Sequence, residues 1–178
     1  MKRIETAQLL VGLALFTPAV QAGVLVDPGC VTNMRQSTPD SRFEDNGNGT
    51  VTDLVTQLMW SKCSDGQTYN QTNGGCDGTA TELNWQTALQ NADALNYAGH
   101  TDWRLPNVKE LYSLVETACV MPAINSTFFP GTSTESYWTS SQAGANLSWS
   151  LGFGLGIIND LYRTETATTH VRYVRDLP

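Results

Sequence analysis

The residues best suited to chemistry lie in a short stretch rich in acids and amides, Glu44-Asp45-Asn46-Gly47-Asn48-Gly49-Thr50-Val51-Thr52-Asp53. Calcium takes about six to eight oxygen ligands, and calcium loops supply them from alternate positions around an invariant glycine. Counted from Glu44, Asn46 and Asn48 fall at alternate positions and Gly49 stands sixth. Position twelve is Val55, so the bidentate acid that closes such a loop is missing, and Glu44 replaces the usual leading Asp. A plain hairpin turn therefore competes with a metal loop. Asp45, Asn48 and Asp53 are the candidate ligands, and calcium is the one cofactor the pattern offers.

Arginines and aromatics form the second set. In Asp102-Trp103-Arg104-Leu105-Pro106, Arg104 carries a planar fork suited to a carboxylate or sulfate. The competing reading buries Trp103 and Leu105 by alternation and pairs Arg104 with a nearby acid. Arg163, Arg172 and Arg175 gather positive charge near the C-terminus, and strand alternation puts His170 and Arg172 on one face. Tyr137, Trp138, Trp149 and Phe153 form an aromatic group. Exposed, such rings stack on sugar faces; buried, they are core. The candidate ligand-binding residues are Arg104, Trp138, Trp149 and Arg172.

Catalysis has no comparable constellation. A serine or cysteine nucleophile needs a base beside it. His100 lies in a predicted turn and His170 in a predicted strand. A carboxylate pair such as Asp93 with Asp102 would suit a glycosidase, but nothing in the sequence brings the two together. The chain reads as a non-enzyme.

Size, charge and cysteines bound the setting. Lys2, Arg3, an apolar Leu9–Phe16 run, Pro18 and Val20-Gln21-Ala22 have the layout of an export signal over residues 1–22. Cleavage there leaves 156 residues and moves the formal charge from −7 to −8, because Lys2, Arg3 and Glu5 depart. A uniformly acidic surface repels nucleic acid. No later segment is long and apolar enough to span a bilayer. Four cysteines in an exported chain favour two disulfides. Cys63 and Cys76 bracket a polar loop that a short bridge would close, which leaves Cys30 to pair with Cys119. A zinc site lacks both a Cys-x-x-Cys pair and ligand-like histidine spacing.

These residues must be positioned by local elements. Residues 23–41 read as an N-terminal lead-in held by Cys30, and residues 42–178 as one domain. Arg42–Asp53 is a hairpin with Phe43 and Val51 on one face and Asn-Gly pairs at the tip. Leu54–Trp60 continues as a second half-buried strand. Asn84 caps a helix whose stripe is Trp85, Ala88, Leu89, Ala92 and Leu95, with Gly99 as its stop. A strand over Asp102–Pro106 leads to a second helix, where Asn107 and Glu110 make a capping box and Leu111, Leu114 and Val115 face inward. Beyond Tyr137 the chain is β again, over Tyr137-Trp138, Leu147–Ile158 and Thr168–Val174. Strands, two helices, then strands predict an α+β fold, with antiparallel sheets and two flanking helices.

In this order the segments Arg42–Trp60, Trp85–Asn107 with Glu110-Leu111, Pro122-Ala123-Ile124-Asn125 with Phe129-Pro130, Tyr137–Ser141 and Val171–Arg175 resemble the Lcl C-terminal domain family of bacterial collagen-like adhesins. The resemblance implies a fold similar to C-type lectins in an exported protein, secreted, periplasmic or on the cell surface. In the founding adhesin, similar domains follow a collagen stalk, trimerise and bind glycosaminoglycans and other polyanions. This chain has no Gly-x-y repeat and a negative mature charge, and it lacks the Gln-Pro-Asp and Glu-Pro-Asn motifs of calcium-dependent sugar binding. The expected role is noncatalytic binding in adhesion or surface recognition, with an extracellular glycan or protein as partner. A structural domain of an envelope complex is the competing class. An enzyme would require converging titratable residues with shifted pKa in a cleft.

Overall fold

A computed structural model of the chain describes residues 25–26 and 29–178; the export signal read over residues 1–22 lies outside them. A short pairing of β1 (Leu25–Val26) with β2 (Cys30–Val31) precedes a 3-10 turn at Asp40–Arg42. The chain then enters the antiparallel meander β3 (Phe43–Asp45), β4 (Thr50–Asp53) and β5 (Leu58–Ser61). Register places Phe43, Val51 and Trp60 on one face, and all three are buried. Gly49 at the hairpin tip has φ +87, and a Cβ there would collide with the Tyr97 hydroxyl. Only glycine meets both demands.

The strand expected over Leu54–Trp60 starts only at Leu58. The Asp53 carboxylate accepts from the Val55 and Thr56 N–H groups and so folds residues 54–57 into a turn. Gln57 takes φ +57 there, and Leu54 and Val55 are exposed.

Next come the small hairpin β6 (Thr68–Tyr69) with β7 (Cys76–Asp77), the two-residue β8 (Leu83–Asn84) and helix α1 (Trp85–Ala94). The Asn84 side chain accepts from Thr87 N, as its cap role requires. Helix α1 ends before Leu95, well short of Gly99. That glycine, φ +82, instead follows Ala98, φ +53, in the tight turn where Tyr97 and His100 exchange backbone hydrogen bonds. Asp102–Pro106 is not a strand either. Arg104 makes a single bridge to Val174, after which Pro106 offers no N–H and Asn107 caps the next helix. Helix α2 (Val108–Tyr112) carries the expected capping box but lasts one turn, because the Ser113 hydroxyl donates to the Glu110 carbonyl. Leu111, Leu114 and Val115 are buried as expected.

The C-terminal part is built on β9 (Ser136–Gly144), β10 (Leu147–Gly152) and β11 (Ile157–Tyr162), an antiparallel sheet ordered β11-β10-β9. The single run expected over Leu147–Ile158 is thus a hairpin that turns at residues 153–156. The stretch expected over Thr168–Val174 is likewise divided. It forms β12 (Thr168–Thr169), paired with β8, and β13 (Val174–Asp176), which joins the meander as β13-β5-β4-β3.

Alternation in the β9–β11 sheet separates two apolar clusters. Tyr137 and Leu151 join Phe43, Trp60, Leu111, Leu114, Phe129 and Phe153 on one side. Trp138 and Leu161 join Ala88, Ala92, Trp103, Leu105 and Tyr173 on the other. Helix α2 therefore feeds the first cluster and α1 the second. The architecture is α+β, mostly antiparallel β, with two short helices.

Candidate functional site

The amide-rich hairpin folds locally around its own polar groups. Asp45 accepts from Gly47 N and from Lys62 Nζ at 2.5 Å, and Lys62 lies over the Tyr69 ring. The Asn48 carboxamide oxygen accepts from Thr50 N and Oγ1. Asp53 is fully buried; both of its carboxylate oxygens meet the Arg42 guanidinium, with Nε at 2.8 Å. Burial works to raise the Asp53 pKa, but Arg42 with the Thr56 and Val55 donors outweighs it and holds the carboxyl low. Asp45, Asn48 and Asp53 thus each serve a separate protein partner. No group of three His, Cys, Asp or Glu that could hold a metal ion occurs among the described residues.

Arg104 lies between two acids. Its guanidinium donates to both Glu110 oxygens at 2.8 and 2.9 Å and to Asp176 at 2.8 Å. The Glu110 hydrogen bond, supported by Asp176, raises its pKa against the effect of burial. Its fork is occupied by the protein, as the pairing alternative expects.

Arg172 corrects the expectation of an exposed cation beside His170. It is fully buried. Its guanidinium donates to the Ser61 and Lys62 carbonyls, to Thr132 Oγ1 at 2.8 Å and to Ser64 Oγ at 3.4 Å, and it lies over the Phe129 ring. Burial lowers its pKa, with Tyr137 acting in the opposite sense. The strand breaks at this residue, which turns the side chain into the core. Trp138 corrects the reading in the same way: it is fully buried, and its indole N–H donates to Leu83 O at 2.7 Å. Neither residue can touch a ligand on the surface.

Trp149 alone among the four remains available, 36% exposed on β10. The β10–β11 register opposes Leu147 to Tyr162, Trp149 to Asp160 and Leu151 to Ile158, so these six side chains share one face. Tyr162 is 65% exposed and Ile158 is exposed, while Leu151 is sealed in the core. The result is a half-apolar surface with two aromatic rings at diagonal positions around one carboxylate. Strand β11 is also a sheet edge. Tyr162 and Ile158 were not singled out in the sequence. Reading Gly152-Phe153-Gly154-Leu155-Gly156 as a turn rather than a strand interior would have aligned them with Trp149.

The cysteines pair as expected, Cys63 with Cys76 and Cys30 with Cys119. Such bonds persist in oxidising compartments. No helix among the described residues is long and apolar enough to cross a membrane. In comparisons with known proteins, the family described as the Lcl C-terminal domain matches residues 49–175. No curated protein matches the chain.

Proposed function

The chain belongs to the Lcl C-terminal domain family, and from that premise we propose that it is a noncatalytic binding module of the cell exterior. Its scaffold is of the C-type-lectin kind, and its binding surface is the β10–β11 face. The observation that carries this reading is the exposure of Trp149 and Tyr162 beside Asp160 on one sheet face. Two rings offer stacking area to the apolar faces of sugars, and a carboxylate between them accepts hydroxyl donors. The ligand class is an extracellular glycan, bound without calcium because the candidate oxygens of the 44–53 hairpin already serve protein partners. The family resemblance supports export to the periplasm or beyond.

A glycan array with the mature chain, run with calcium and with chelator, tests this. Binding should survive chelation and be lost in Trp149→Ala and Tyr162→Ala. Array signal that disappears with chelator, or that both variants retain, would overturn it.

A second reading, a structural domain of an envelope complex, is favoured by the exposed apolar side chains Met121, Leu155 and Ile157 near the β10–β11 turn. It predicts a silent array and an association that Leu155→Glu abolishes.

A further inference from the structure

Where the β10–β11 ladder ends, the chain forms a cleft of about 240 Å³ lined by Asn84, Trp85, Gln86, Asn146, Arg163, Thr164 and Glu165. It lies on the opposite side of the sheet from Tyr162, because Arg163 extends the ladder through its N–H to Asn146 O and alternation reverses its direction. Its floor is fixed. The Trp85 indole N–H donates to Thr139 O at 2.8 Å, and the Arg163 guanidinium lies 4.6 Å from the centre of the indole ring system. One guanidinium nitrogen of Arg163 donates to the Gly144 and Ala145 carbonyls.

Among the described arginines only Arg35, Arg163 and the buried Arg172 lack a carboxylate partner, and Arg35 is an exposed side chain that does not line the cleft. Arg42, Arg104 and Arg175 are each neutralised by a carboxylate, and Arg172 is sealed among carbonyls and hydroxyls. Arg163 is held rigidly, opens onto a cleft and has no carboxylate partner among the described residues. Its Nε and second terminal nitrogen donate to no described group. Around it, the Asn84 Nδ2 and the side-chain amides of Gln86 and Asn146 also lack described partners. Both bidentate edges of the guanidinium use the terminal nitrogen already taken by the Gly144 and Ala145 carbonyls. Arg163 therefore offers a carboxylate single charge-assisted hydrogen bonds from Nε or its other terminal nitrogen, and the surrounding amides and the exposed Glu165 match hydroxyl groups. The volume is below the ~300 Å³ at which drug-sized pockets begin, so a single small molecule fits and a folded partner does not.

We propose that this cleft is a binding site for a small hydroxylated carboxylate, a sugar acid, whose carboxylate pairs with Arg163 and whose hydroxyls meet Asn84, Asn146 and Glu165. The site is separate from the Trp149–Tyr162 face, and neither reading depends on the other.

Galacturonate and galactose differ only in a carboxylate for a hydroxymethyl group, which makes them matched probes. In heteronuclear NMR of the mature, disulfide-bonded chain, galacturonate should shift the Trp85 indole N–H resonance saturably, and galactose should not. Arg163→Lys keeps the charge but loses the planar guanidinium fixed over the Trp85 ring and should weaken galacturonate about tenfold. Glu165→Gln removes a like charge at the rim and should tighten it about threefold. Trp149→Ala should leave the Trp85 response unchanged, so a failure here is distinguishable from a failure of the sheet-face reading. Arg163→Met should abolish the shift; should that variant not fold, the Lys and Gln variants still decide. Equal responses to the two sugars, or unaltered galacturonate binding in Arg163→Lys, would overturn the proposal.

Discussion

A carboxylate as deeply buried as Asp53 is tolerable only with a cation against it, and Arg42 is that cation, itself only 10% exposed. Removing one partner leaves the other charged and desolvated, so Asp53→Ala should lower stability by about 3 kcal/mol in urea unfolding. The pH dependence has a definite sign. Asp53 and Glu116 both have carboxyl groups held low in the folded chain. Burial opposes this in each case; Arg42 prevails at Asp53, and the Ala118, Thr38 and Ser37 donors prevail at Glu116. Their contributions are therefore complete above the unfolded carboxylate pKa of about 4. They fade as pH falls through the folded values. Thermal melts should hold their midpoint through mildly acidic pH and drop below about pH 4, with a smaller drop in Asp53→Asn. An unchanged acid limb in that variant would refute the assignment. The two tryptophans of the aromatic group separate just as clearly. Trp138→Ala empties a fully buried site and should cost about 3–5 kcal/mol. Trp149→Ala should cost under about 1 kcal/mol while abolishing binding, because its ring is a surface group.

At the scale of elements, the local chemistry written into the chain carries much of the architecture. Asn107→Ala should cost about 1 kcal/mol, since its side chain accepts from both Lys109 N and Glu110 N. Asn107→Asp should restore most of that, measured by the same urea midpoints. Caps of this kind are legible in a sequence because donor and acceptor lie three residues apart. The Arg42–Asp53 hairpin, the Asn84 cap and the Trp85–Leu95 stripe were readable for the same reason. Strand ends were not. Leu54–Gln57 has strand-like composition, yet the Asp53 side chain captures two backbone N–H groups and turns it. The depth of Arg172 was also hidden, because its acceptors, Ser61, Lys62 and Thr132, lie far away along the chain. Alternation gives the direction of a side chain within a strand and says nothing of what covers it. The candidate face shared this limit: Trp149 was legible as an aromatic, whereas its neighbours Tyr162 and Ile158 depended on the hairpin register.

At the scale of the whole molecule, the two disulfides act on very different lengths of chain. Cys63–Cys76 closes a separation of 13 residues around the β6–β7 hairpin, whereas Cys30–Cys119 spans 89 and fastens the N-terminal arm to the segment after α2. The chain-entropy argument assigns about 3 kcal/mol to the short loop and about 4.5 kcal/mol to the long one. The double variant Cys30→Ala/Cys119→Ala should therefore have the lower urea midpoint of the two disulfide deletions. The arm has a second fastening that moderates this ranking. Glu116 accepts from the Ser37 and Thr38 backbone N–H groups and both hydroxyls, and Asn125 Nδ2 donates to Thr38 O and Asp40. With the disulfide intact, Glu116→Ala breaks contacts that the crosslink keeps close by. Without it, the same substitution leaves the arm on Asn125, on the Ser37 hydroxyl bonded to Val115 O and Thr117 N, and on the backbone pairs of Val31 with Ala118 and Gly29 with Val120. The two losses should thus be more than additive, with a coupling of about 1 kcal/mol in a double-mutant cycle. Strict additivity would mean that Asn125, the Ser37 hydroxyl and the backbone pairs dock the arm by themselves, and that the Glu116 carboxylate only shapes its own turn.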